Sequence, residues 1–289
     1  MTALPAVVGA LRCPLCAGGF DIDGRRLLCS SGHSYDIARQ GYVNLTSGRG
    51  GPGTGDTTAM VAARAAFLAG GHFAPIADRV GAATRGPLVL DLAGGTGYYL
   101  ASVLGHLPDA LGLCLDLSAA ALRRAARVHS RAAAIGADAW QPLPVASGTV
   151  STVLSIFGPR DPDEIERVLG PHGRLLVVAP TPDHLRELVT PLGMIGVDPR
   201  KPERQSVAFG RFQLLTSEPL SYSVRLDRTA VAELVGMGPT ASHVAADVLG
   251  ERVATLPAVV DVDIAVDIRT YVRRPADLGC RSALVGRPW

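Results

Sequence analysis

The stretch Val89-Leu90-Asp91-Leu92-Ala93-Gly94-Gly95-Thr96-Gly97 decides the fold that this sequence predicts. It begins as an apolar run typical of a buried strand and ends in a glycine-rich turn, after which we expect a helix. Glycines let the backbone pass close under a ligand, and the following helix turns its N-terminus toward that ligand. The pattern differs from the dinucleotide motif Gly-x-Gly-x-x-Gly, because Leu100 stands where that motif needs a small residue. Nicotinamide is therefore disfavoured, and an acidic residue before the glycines is typical of S-adenosylmethionine enzymes.

A carboxylate at the end of the next predicted strand supports this interpretation. The segment 111–115 has the pattern of a second strand, and Asp116 follows it directly. A carboxylate in this position can accept hydrogen bonds from both ribose hydroxyls of a nucleoside. We therefore assign Asp116, with the loop glycines Gly95 and Gly97, to a predicted cofactor site. Asp138 could lie near the adenine, although an ordinary loop carboxylate is an equal alternative.

Strands and helices alternate along most of the chain. The predicted strands cover 88–92, 111–115, 150–157 and 174–179, and the predicted helices cover 58–69, 161–169 and 182–189. Asp56 or Thr57 can cap the first of these helices. Such alternation predicts an α/β fold with a doubly wound parallel sheet. The later segments 221–226 and 260–272 predict an antiparallel pair that closes the sheet.

Cys13, Cys16, Cys29 and His33 have the spacing of a tetrahedral zinc site. They form two close pairs, and three of the five cysteines in the chain fall within this window. Four protein ligands favour a structural Zn²⁺ over a catalytic one, which keeps an open position. The arm between the pairs, 20–28, predicts a short hairpin with a glycine turn. Zinc would hold a module that is too small to fold on its own core.

Composition limits the class of protein. Of the 289 residues 47% are hydrophobic, which is enough for a packed core, but no run of about 18 apolar residues predicts a membrane span. Residues 1–11 make a poor signal peptide, and cysteines arranged for metal suit a reducing compartment, so the cytoplasm is the expected location. The formal net charge of +2 is too small to indicate nucleic-acid binding by itself.

Arginine is nevertheless clustered in two regions of the sequence. The first cluster has helical spacing and comprises Arg123, Arg124, Arg127 and Arg131. The second lies in or near the predicted zinc module and comprises Arg25, Arg26, Arg39 and Arg49. Each cluster is either an ordinary solvated face or a surface that binds the backbone of RNA.

Longer motifs give the chain a resemblance to a known family. The most specific is Asp36-Ile37-Ala38-Arg39-Gln40-Gly41-Tyr42-Val43-Asn44-Leu45, just after the zinc ligands. Further motifs run along nearly the whole chain: Gly55-Asp56, Ala63-Arg64, Gly71-His72-Phe73-Ala74-Pro75, Gly95-Thr96-Gly97-Tyr98-Tyr99, Pro182-Asp183-His184-Leu185 and Val262-Asp263-Ile264-Ala265-Val266-Asp267-Ile268. With these motifs the chain resembles the 23S ribosomal RNA guanine-N1 methyltransferases, including those that confer resistance to tylosin-type macrolides.

The resemblance implies a fold, a set of contacts and a reaction. The implied fold is a class I S-adenosylmethionine-dependent methyltransferase domain, with a Rossmann-like sheet, preceded by a small N-terminal zinc-binding module. The implied cofactor contacts are Phe73, Gly95, Thr96 and His184. The implied reaction transfers a methyl group to N1 of one guanine in a hairpin loop of 23S rRNA. Its role is either housekeeping or resistance to tylosin- or mycinamicin-type macrolides, and a composition rich in Ala, Arg and Gly, typical of GC-rich bacterial genomes, favours resistance. A homodimer is a further implication.

Two residues of the glycine loop depart from the family pattern. Ala93 replaces the usual first glycine, and Gly94 replaces the usual cysteine. Alanine fits this position if its backbone φ is negative, so we predict a negative φ at Ala93 and retained activity.

Other features leave alternatives open. A group must accept the guanine N1 proton or stabilise the anion and the charge on O6, and the candidates are Asp56, Arg64 and Asp161. A methyltransferase of a small molecule and a non-catalytic zinc- and RNA-binding protein are the alternative functions.

The predicted organisation is a zinc-binding module over 1–40, a linker and helix over 41–84, and the methyltransferase domain over 85–289.

Overall fold

A small antiparallel sheet opens the fold of this protein. The computed structural model describes residues 3–46, 55–197 and 210–274, without the side chain of Ser242. The small sheet contains β1 (Phe20–Asp23), β2 (Arg26–Cys29) and β3 (Ser34–Asp36). The predicted hairpin is confirmed, because β1 and β2 pair in antiparallel register around a turn in which Gly24 has a φ of +59°. Residues 47–54 of the predicted linker, which include Arg49, lie outside the described residues.

An eight-stranded sheet forms the centre of the described structure. Its order is β10-β11-β9-β8-β5-β6-β7-β4. The strands are β4 (Val43–Asn44), β5 (Leu88–Leu92), β6 (Leu111–Asp116), β7 (Ala132–Gly136), β8 (Val150–Ile156), β9 (Leu169–Pro180), β10 (Phe212–Asp227) and β11 (Val259–Arg273). Strands β4 to β9 pair in parallel, whereas β10 and β11 are antiparallel. The predicted doubly wound sheet with an antiparallel C-terminal pair is therefore confirmed.

Nine helices within the described residues cover the sheet. They are α1 (Leu4–Val7), α2 (Thr58–Ala69), α3 (Ala74–Ala83), α4 (Tyr98–His106), α5 (Ala119–Ala125), α6 (Pro162–Val168), α7 (Arg186–Leu192), α8 (Arg228–Gly236) and α9 (Ala246–Thr255). Thr57 caps α2, because its hydroxyl accepts a hydrogen bond from the Met60 N–H at 3.2 Å. The helix predicted over 182–189 begins later, at Arg186, because the preceding residues form a turn that ends in Leu185 with a φ of +58°.

Apolar side chains form one core on each face of the large sheet. Successive residues of β5 point to opposite faces, so Val89 joins the core under helices α2 to α5 and α7 to α9, and Leu90 joins the other. The second core includes α1, α6 and the small sheet. Leu11 bridges to Val145 there, and β4 pairs with β7. The N-terminal residues thus pack directly on the large sheet, and the division at residues 40 and 84 stays a prediction.

The length and polarity of the described helices decide whether any of them could cross a membrane. No single helix within residues 3–46, 55–197 and 210–274 is long and apolar enough to do so. Helices α2 and α3, which meet at 84°, meet the requirement only as a bent pair and only by length and composition. Their residues Phe67 and Ile76 are completely buried in the core beneath them.

Candidate active site and metal centre

The strand order reverses at β5, and this reversal locates the candidate active site. Connections on one side of β5 lead to β6 and β7, and those on the other side lead to β8 and β9. In open α/β sheets, ligands bind outside the carboxyl ends of the strands at such a point. The loop over 93–97 follows β5, Leu117 and Ser118 follow β6, and Phe157 follows β8. These three loops therefore line one crevice.

The loop after β5 turns through three left-handed residues. Ala93 has a φ of +55°, Gly95 of +57° and Gly97 of +78°. The predicted negative φ at Ala93 is therefore wrong. The turn is held by the Gly94 N–H, which donates to the Leu115 carbonyl at 3.0 Å, so the backbone at residue 93 must reverse sharply. This conformation costs an L-residue with a Cβ atom about 1–2 kcal/mol, whereas glycine adopts it freely.

Gly94 packs against the strands beneath the loop. A Cβ atom at this position would lie 2.6 Å from Oδ2 of Asp91 and 2.7 Å from Sγ of Cys114. Both neighbours are buried, so neither can move far. With Asp91 and Cys114 in these positions, glycine at position 94 lets the loop lie this close to the sheet.

Asp91 is a buried acid directly under this loop. Its side chain is only 1% exposed, and Oδ2 has no hydrogen-bond partner within the described part of the chain. Burial, with a smaller contribution from the nearby Asp116, raises the pKa of Asp91 to about 7. The carboxyl group is thus held largely in its neutral form at mildly acidic pH.

Asp116 lies at the end of β6, as the sequence predicts, and it fixes the loop. Its Oδ2 accepts from the Gly95 N–H at 2.8 Å, and its Oδ1 accepts from the Ser118 N–H at 2.8 Å. Burial raises the pKa of Asp116, although both hydrogen bonds act in the opposite direction. A carboxylate offers about four acceptor positions, so two remain for hydroxyl groups of a ligand.

Arg64 covers the loop from the side of α2. Its guanidinium pairs with Asp56 at 2.8 Å and donates to the Met237 carbonyl at 2.8 Å. Nη1 lies 3.0 Å from the position of a Cβ atom on Gly95. The motif residues Asp56 and Arg64, distant in sequence from the loop, are thus brought onto it.

Asp161 has a different role. It caps α6, where Oδ1 accepts from the N–H groups of Asp163 at 3.0 Å and Glu164 at 3.4 Å. Asp138 likewise stabilises a turn, after β7, by accepting from the Trp140 N–H at 2.9 Å. Both carboxylates lie beyond the carboxyl ends of strands, and both accept hydrogen bonds from backbone N–H groups.

Three rings come together at the same edge of the sheet. Phe73 is buried and lies 6.3 Å from the ring of His184, measured between ring centroids. Phe157 stacks on His184 at 5.8 Å with an interplanar angle of 24°. Burial lowers the pKa of His184 to about 4, and its Nδ1 accepts from the Ala265 N–H at 3.2 Å. The imidazole is therefore neutral at pH 7 and carries its proton on Nε2.

Phe157 is a feature of this site that the sequence interpretation missed. The predicted strand 150–157 includes Phe157 as its last apolar residue, but β8 ends at Ile156. The only signal was the Gly158-Pro159 pair, which marks the end of a strand. Contacts between rings from three separate loops carry no periodic signal in a sequence.

Cys13, Cys16, Cys29 and His33 converge as predicted. Their four ligand atoms lie within 4.8 Å of one another, and adjacent pairs are 3.4–3.6 Å apart. Zinc bonds of about 2.0–2.3 Å place tetrahedral ligand atoms about 3.5–3.8 Å apart, so the cluster fits this ion. Hydrogen bonding, chiefly from Ser31, lowers the pKa of Cys16 to about 6, which favours the thiolate that a metal binds.

The arginine cluster that begins on α5 and continues beyond it divides into two kinds of residue. Arg123, Arg124 and Arg127 are exposed. Arg131 instead donates to the carbonyl oxygens of Leu104, Leu107 and Ala110 at the end of α4 and beyond it. Arg131 therefore stabilises a helix terminus, and only the other three are free to meet a partner.

Comparison with known proteins agrees with this geometry. Residues 11–46 match a zinc-ribbon family model described as "RlmA, N-terminal". The chain is 44% identical to the 23S rRNA (guanine(748)-N(1))-methyltransferase of Streptomyces fradiae, over 90% of this chain and 95% of that protein. It is also 44% identical, over 92% of this chain and 98% of that protein, to a Micromonospora griseorubida protein provisionally assigned as a 23S rRNA (guanine-N(1)-)-methyltransferase.

A solved structure supports the fold alone. It is a Haloferax volcanii complex between the Trm112 methyltransferase activator and a provisionally assigned methyltransferase. The matched chain has a TM-score of 0.52 and 18% identity, and the match covers 77% of this chain and 100% of that one.

Proposed function

Because the chain belongs to the family of 23S rRNA (guanine-N1)-methyltransferases, we propose that it transfers a methyl group from S-adenosylmethionine to N1 of a guanine in 23S rRNA. One observation carries the proposal. Identity of 44% extends over 95% of the Streptomyces fradiae enzyme and 90% of this chain, so the likeness spans both proteins rather than one shared domain. The glycine loop and Asp116, at the reversal of the sheet, supply an independent argument for a nucleoside cofactor.

The cofactor site is proposed to consist of the loop after β5 and the groups around it. Asp116 would accept the ribose hydroxyls, and Gly95, Thr96 and Gly97 would lie under the cofactor. Phe73 and His184 would contact it from the opposite side, with the neutral His184 donating from Nε2. Asp116 keeps two acceptor positions after it binds the N–H groups of Gly95 and Ser118, which supports this fit. When bound, S-adenosylmethionine supplies an electrophilic methyl group on sulfur.

The acceptor nitrogen must lose a proton during transfer. N1 of neutral guanine carries a hydrogen, so a group must accept it or stabilise the negative charge that develops on O6. Asp161 is used as a helix cap, whereas the Asp56–Arg64 pair lies on the glycine loop. We therefore favour this pair, with Asp56 as the acceptor and Arg64 as the group that stabilises charge.

RNA binding is assigned to the exposed arginines and the zinc module. A structural Zn²⁺ on Cys13, Cys16, Cys29 and His33 would hold this module. The exposed members of the two predicted arginine clusters are Arg25, Arg26, Arg39, Arg123, Arg124 and Arg127. Arg26 already pairs with Asp23 at 2.5 Å, so Arg123 and Arg124 on α5, with Arg127 just after it, should dominate the contacts with phosphate. Replacing these three by Ala should weaken RNA binding and flatten its salt dependence.

The setting of the reaction is a further part of this proposal. The substrate would be a hairpin loop of 23S rRNA in the cytoplasm, and the protein would act as a homodimer, which light scattering can test. The Streptomyces fradiae relative is named for guanine 748, so that base is the first to examine. Resistance to tylosin- or mycinamicin-type macrolides should then appear as a raised inhibitory concentration when the gene is expressed in a sensitive bacterium.

Reverse transcription tests the proposed function. Purified protein is incubated with S-adenosylmethionine and unmodified 23S rRNA, and a primer is then extended across the RNA. A methyl group on N1 blocks the Watson–Crick edge, so one new stop that depends on the cofactor should appear one nucleotide before the target. The Asp116→Ala variant should give no stop. Absence of a stop with the wild-type protein, when calorimetry shows that the cofactor binds, would favour a small-molecule acceptor.

A further inference from the structure

Phe157 is an exposed aromatic residue in an unfavourable backbone conformation. Its φ is +55°, and 40% of the residue is exposed. Its N–H donates to the Val178 carbonyl at 3.1 Å, which fixes the backbone at the end of β8. Non-glycine residues rarely adopt this conformation, and they keep it only where the surrounding structure holds them there. An outlier of this kind beside a ligand site is therefore grounds for a functional hypothesis.

Two further rings support Phe157 from behind. It stacks on His184, and its centroid lies 6.0 Å from that of Phe73. Phe73 is only 3% exposed and packs edge-on against Phe67 at 5.0 Å, so the cluster is anchored in the core. The rings thus progress from fully buried to exposed. The outermost one is held in place before any ligand arrives.

The position of Phe157 relates it to the cofactor loop. A Cβ atom on the next residue, Gly158, would lie 3.3 Å from the Leu92 carbonyl oxygen and 3.5 Å from the Cβ of Ala93. The segment that carries Phe157 therefore packs against the start of the glycine loop. A base that is to receive a methyl group at this loop must come to the edge where Phe157 is exposed.

The chemistry of such a base suits an aromatic platform. An enzyme that modifies the Watson–Crick edge needs the base out of its stack, and an extruded base loses its stacking partners. Aromatic side chains replace those partners because every base has a π-face. Phe157 presents a flat, uncharged ring, as this replacement requires.

We propose that Phe157 stacks on the target guanine and thereby orients its N1 edge toward the cofactor loop, an inference that rests on the proposed function. Phe73 and His184 remain assigned to the cofactor, and His184 also supports the Phe157 ring. Phe157 would then determine how the base is positioned, without taking part in proton transfer.

Comparison of Phe157→Leu with Phe157→Tyr tests this inference. Leu keeps an apolar side chain but removes the ring, so kcat/KM for methylation of 23S rRNA should fall about 10- to 100-fold. Tyr keeps the ring and should retain most of the activity. Calorimetry should show the same affinity for S-adenosylmethionine in both variants and the wild type, which also confirms that they fold.

Two results would overturn the inference. One is an unchanged kcat/KM in Phe157→Leu, and the other is a weakened cofactor affinity, which would assign the ring to the cofactor. If Phe157→Leu does not fold, Phe157→Trp provides a fluorescence test. The hairpin should quench that tryptophan more than the same hairpin with an abasic site at the mapped guanine, and equal quenching would contradict stacking.

Failure of the proposed function has a separate signature. A wild-type protein that leaves the RNA unmodified contradicts both the function and the inference. An active wild-type protein with an equally active Phe157→Leu variant contradicts the inference alone.

Discussion

The metal cluster and the cofactor edge of the large sheet obtain defined geometry by different means. In the cluster, Cys13 and His33 are joined by one small hairpin, and the chelating atoms come from neighbouring turns. At the cofactor edge, Asp116, Phe157 and Arg64 come from elements far apart in the chain and meet only because the sheet folds. The cluster therefore depends on an ion and on local spacing, whereas the cofactor edge depends on topology and close packing. Substitutions in the metal cluster and at the cofactor edge should therefore impair stability and cofactor binding independently, and by different amounts.

The largest effect is expected from loss of a metal ligand. Cys29 is buried and lies 3.6 Å from Cys16 and 3.4 Å from His33, so Cys29→Ala should abolish zinc binding. Structural zinc contributes about 10–16 kcal/mol in isolated small modules, and the three-stranded sheet has little core of its own. Because this module packs on the large sheet, we expect calorimetry to show a Tm lower by about 10 °C.

A matched cysteine gives the control for that experiment. Cys114 is also buried, but it lies under the glycine loop rather than in the cluster. Cys114→Ala should keep one zinc per chain by elemental analysis. Retention of one zinc per chain by Cys29→Ala would contradict the assigned ligand set.

The next largest effect is the pH dependence of stability that Asp91, buried in the large sheet, should cause. Burial raises the pKa of Asp91 from 3.8 to about 7, so the folded protein holds this proton more tightly than the unfolded chain does. The group therefore favours folding below about pH 4, and this contribution is lost as the pH rises to about 7. Asp91→Asn cannot ionise, so its free energy of unfolding should not fall between pH 4 and pH 8. The difference from the wild type should reach up to about 4 kcal/mol at pH 8, since one pKa unit corresponds to about 1.4 kcal/mol.

Urea unfolding of the ligand-free protein between pH 5 and pH 8 measures this difference. The control is Asp109→Asn, since Asp109 is exposed and should give a curve parallel to that of the wild type. An Asp91→Asn curve that also runs parallel to the wild type across this range would show that the buried acid does not govern the pH dependence.

A smaller but more local effect is expected at Gly94. Gly94→Ala would push a methyl group against Asp91 and Cys114, and the loop would have to lift from the sheet. Misplacement by about 1 Å can lower a reaction rate about 100-fold, so kcat/KM for methylation should fall by about this factor. Calorimetry should also show weaker binding of S-adenosylmethionine.

Gly105 provides the contrast because it lies in α4 and has open space where a Cβ atom would be placed. Gly105→Ala should leave cofactor affinity unchanged and stabilise the protein by about 0.5–1 kcal/mol. Equal cofactor affinities for the two variants would contradict the close-packing argument for the loop.

The smallest effect concerns the strained residue of the same loop. Ala93→Gly removes a Cβ from a left-handed residue and should stabilise the protein by about 1 kcal/mol in urea unfolding. The same change at Ala101, inside α4, should destabilise it by about 1 kcal/mol. Destabilisation by both substitutions would show that the Ala93 conformation carries no strain.

The two regions also differ in how much of them could be predicted from the sequence. All four metal ligands were identifiable because they are close in the chain and chemically distinctive. The strand Leu88–Leu92 was predicted with the observed bounds, since an apolar run ends there at glycines. The strand Ala132–Gly136 was missed because alanine and glycine lack the β-branched signal of a strand.

At the cofactor edge, the sequence could not predict the features that depend on tertiary contacts. Asp116 could be placed from strand order, but the approach of Arg64 to Gly95 depends on how α2 packs. The φ of Ala93 was mispredicted because residue type argues against the conformation that the turn imposes. The Phe157 ring contacts likewise join three loops that only the fold brings together.

The most direct test of the account identifies the methylated nucleoside itself. The protein is incubated with 23S rRNA and S-adenosylmethionine that carries an isotopic label on the methyl group, and the RNA is digested to nucleosides for chromatography and mass spectrometry. We predict that the label co-elutes with 1-methylguanosine and that Asp116→Ala gives none. Label in any other methylated nucleoside, or no label in RNA from a protein that binds the cofactor, would contradict the proposed function.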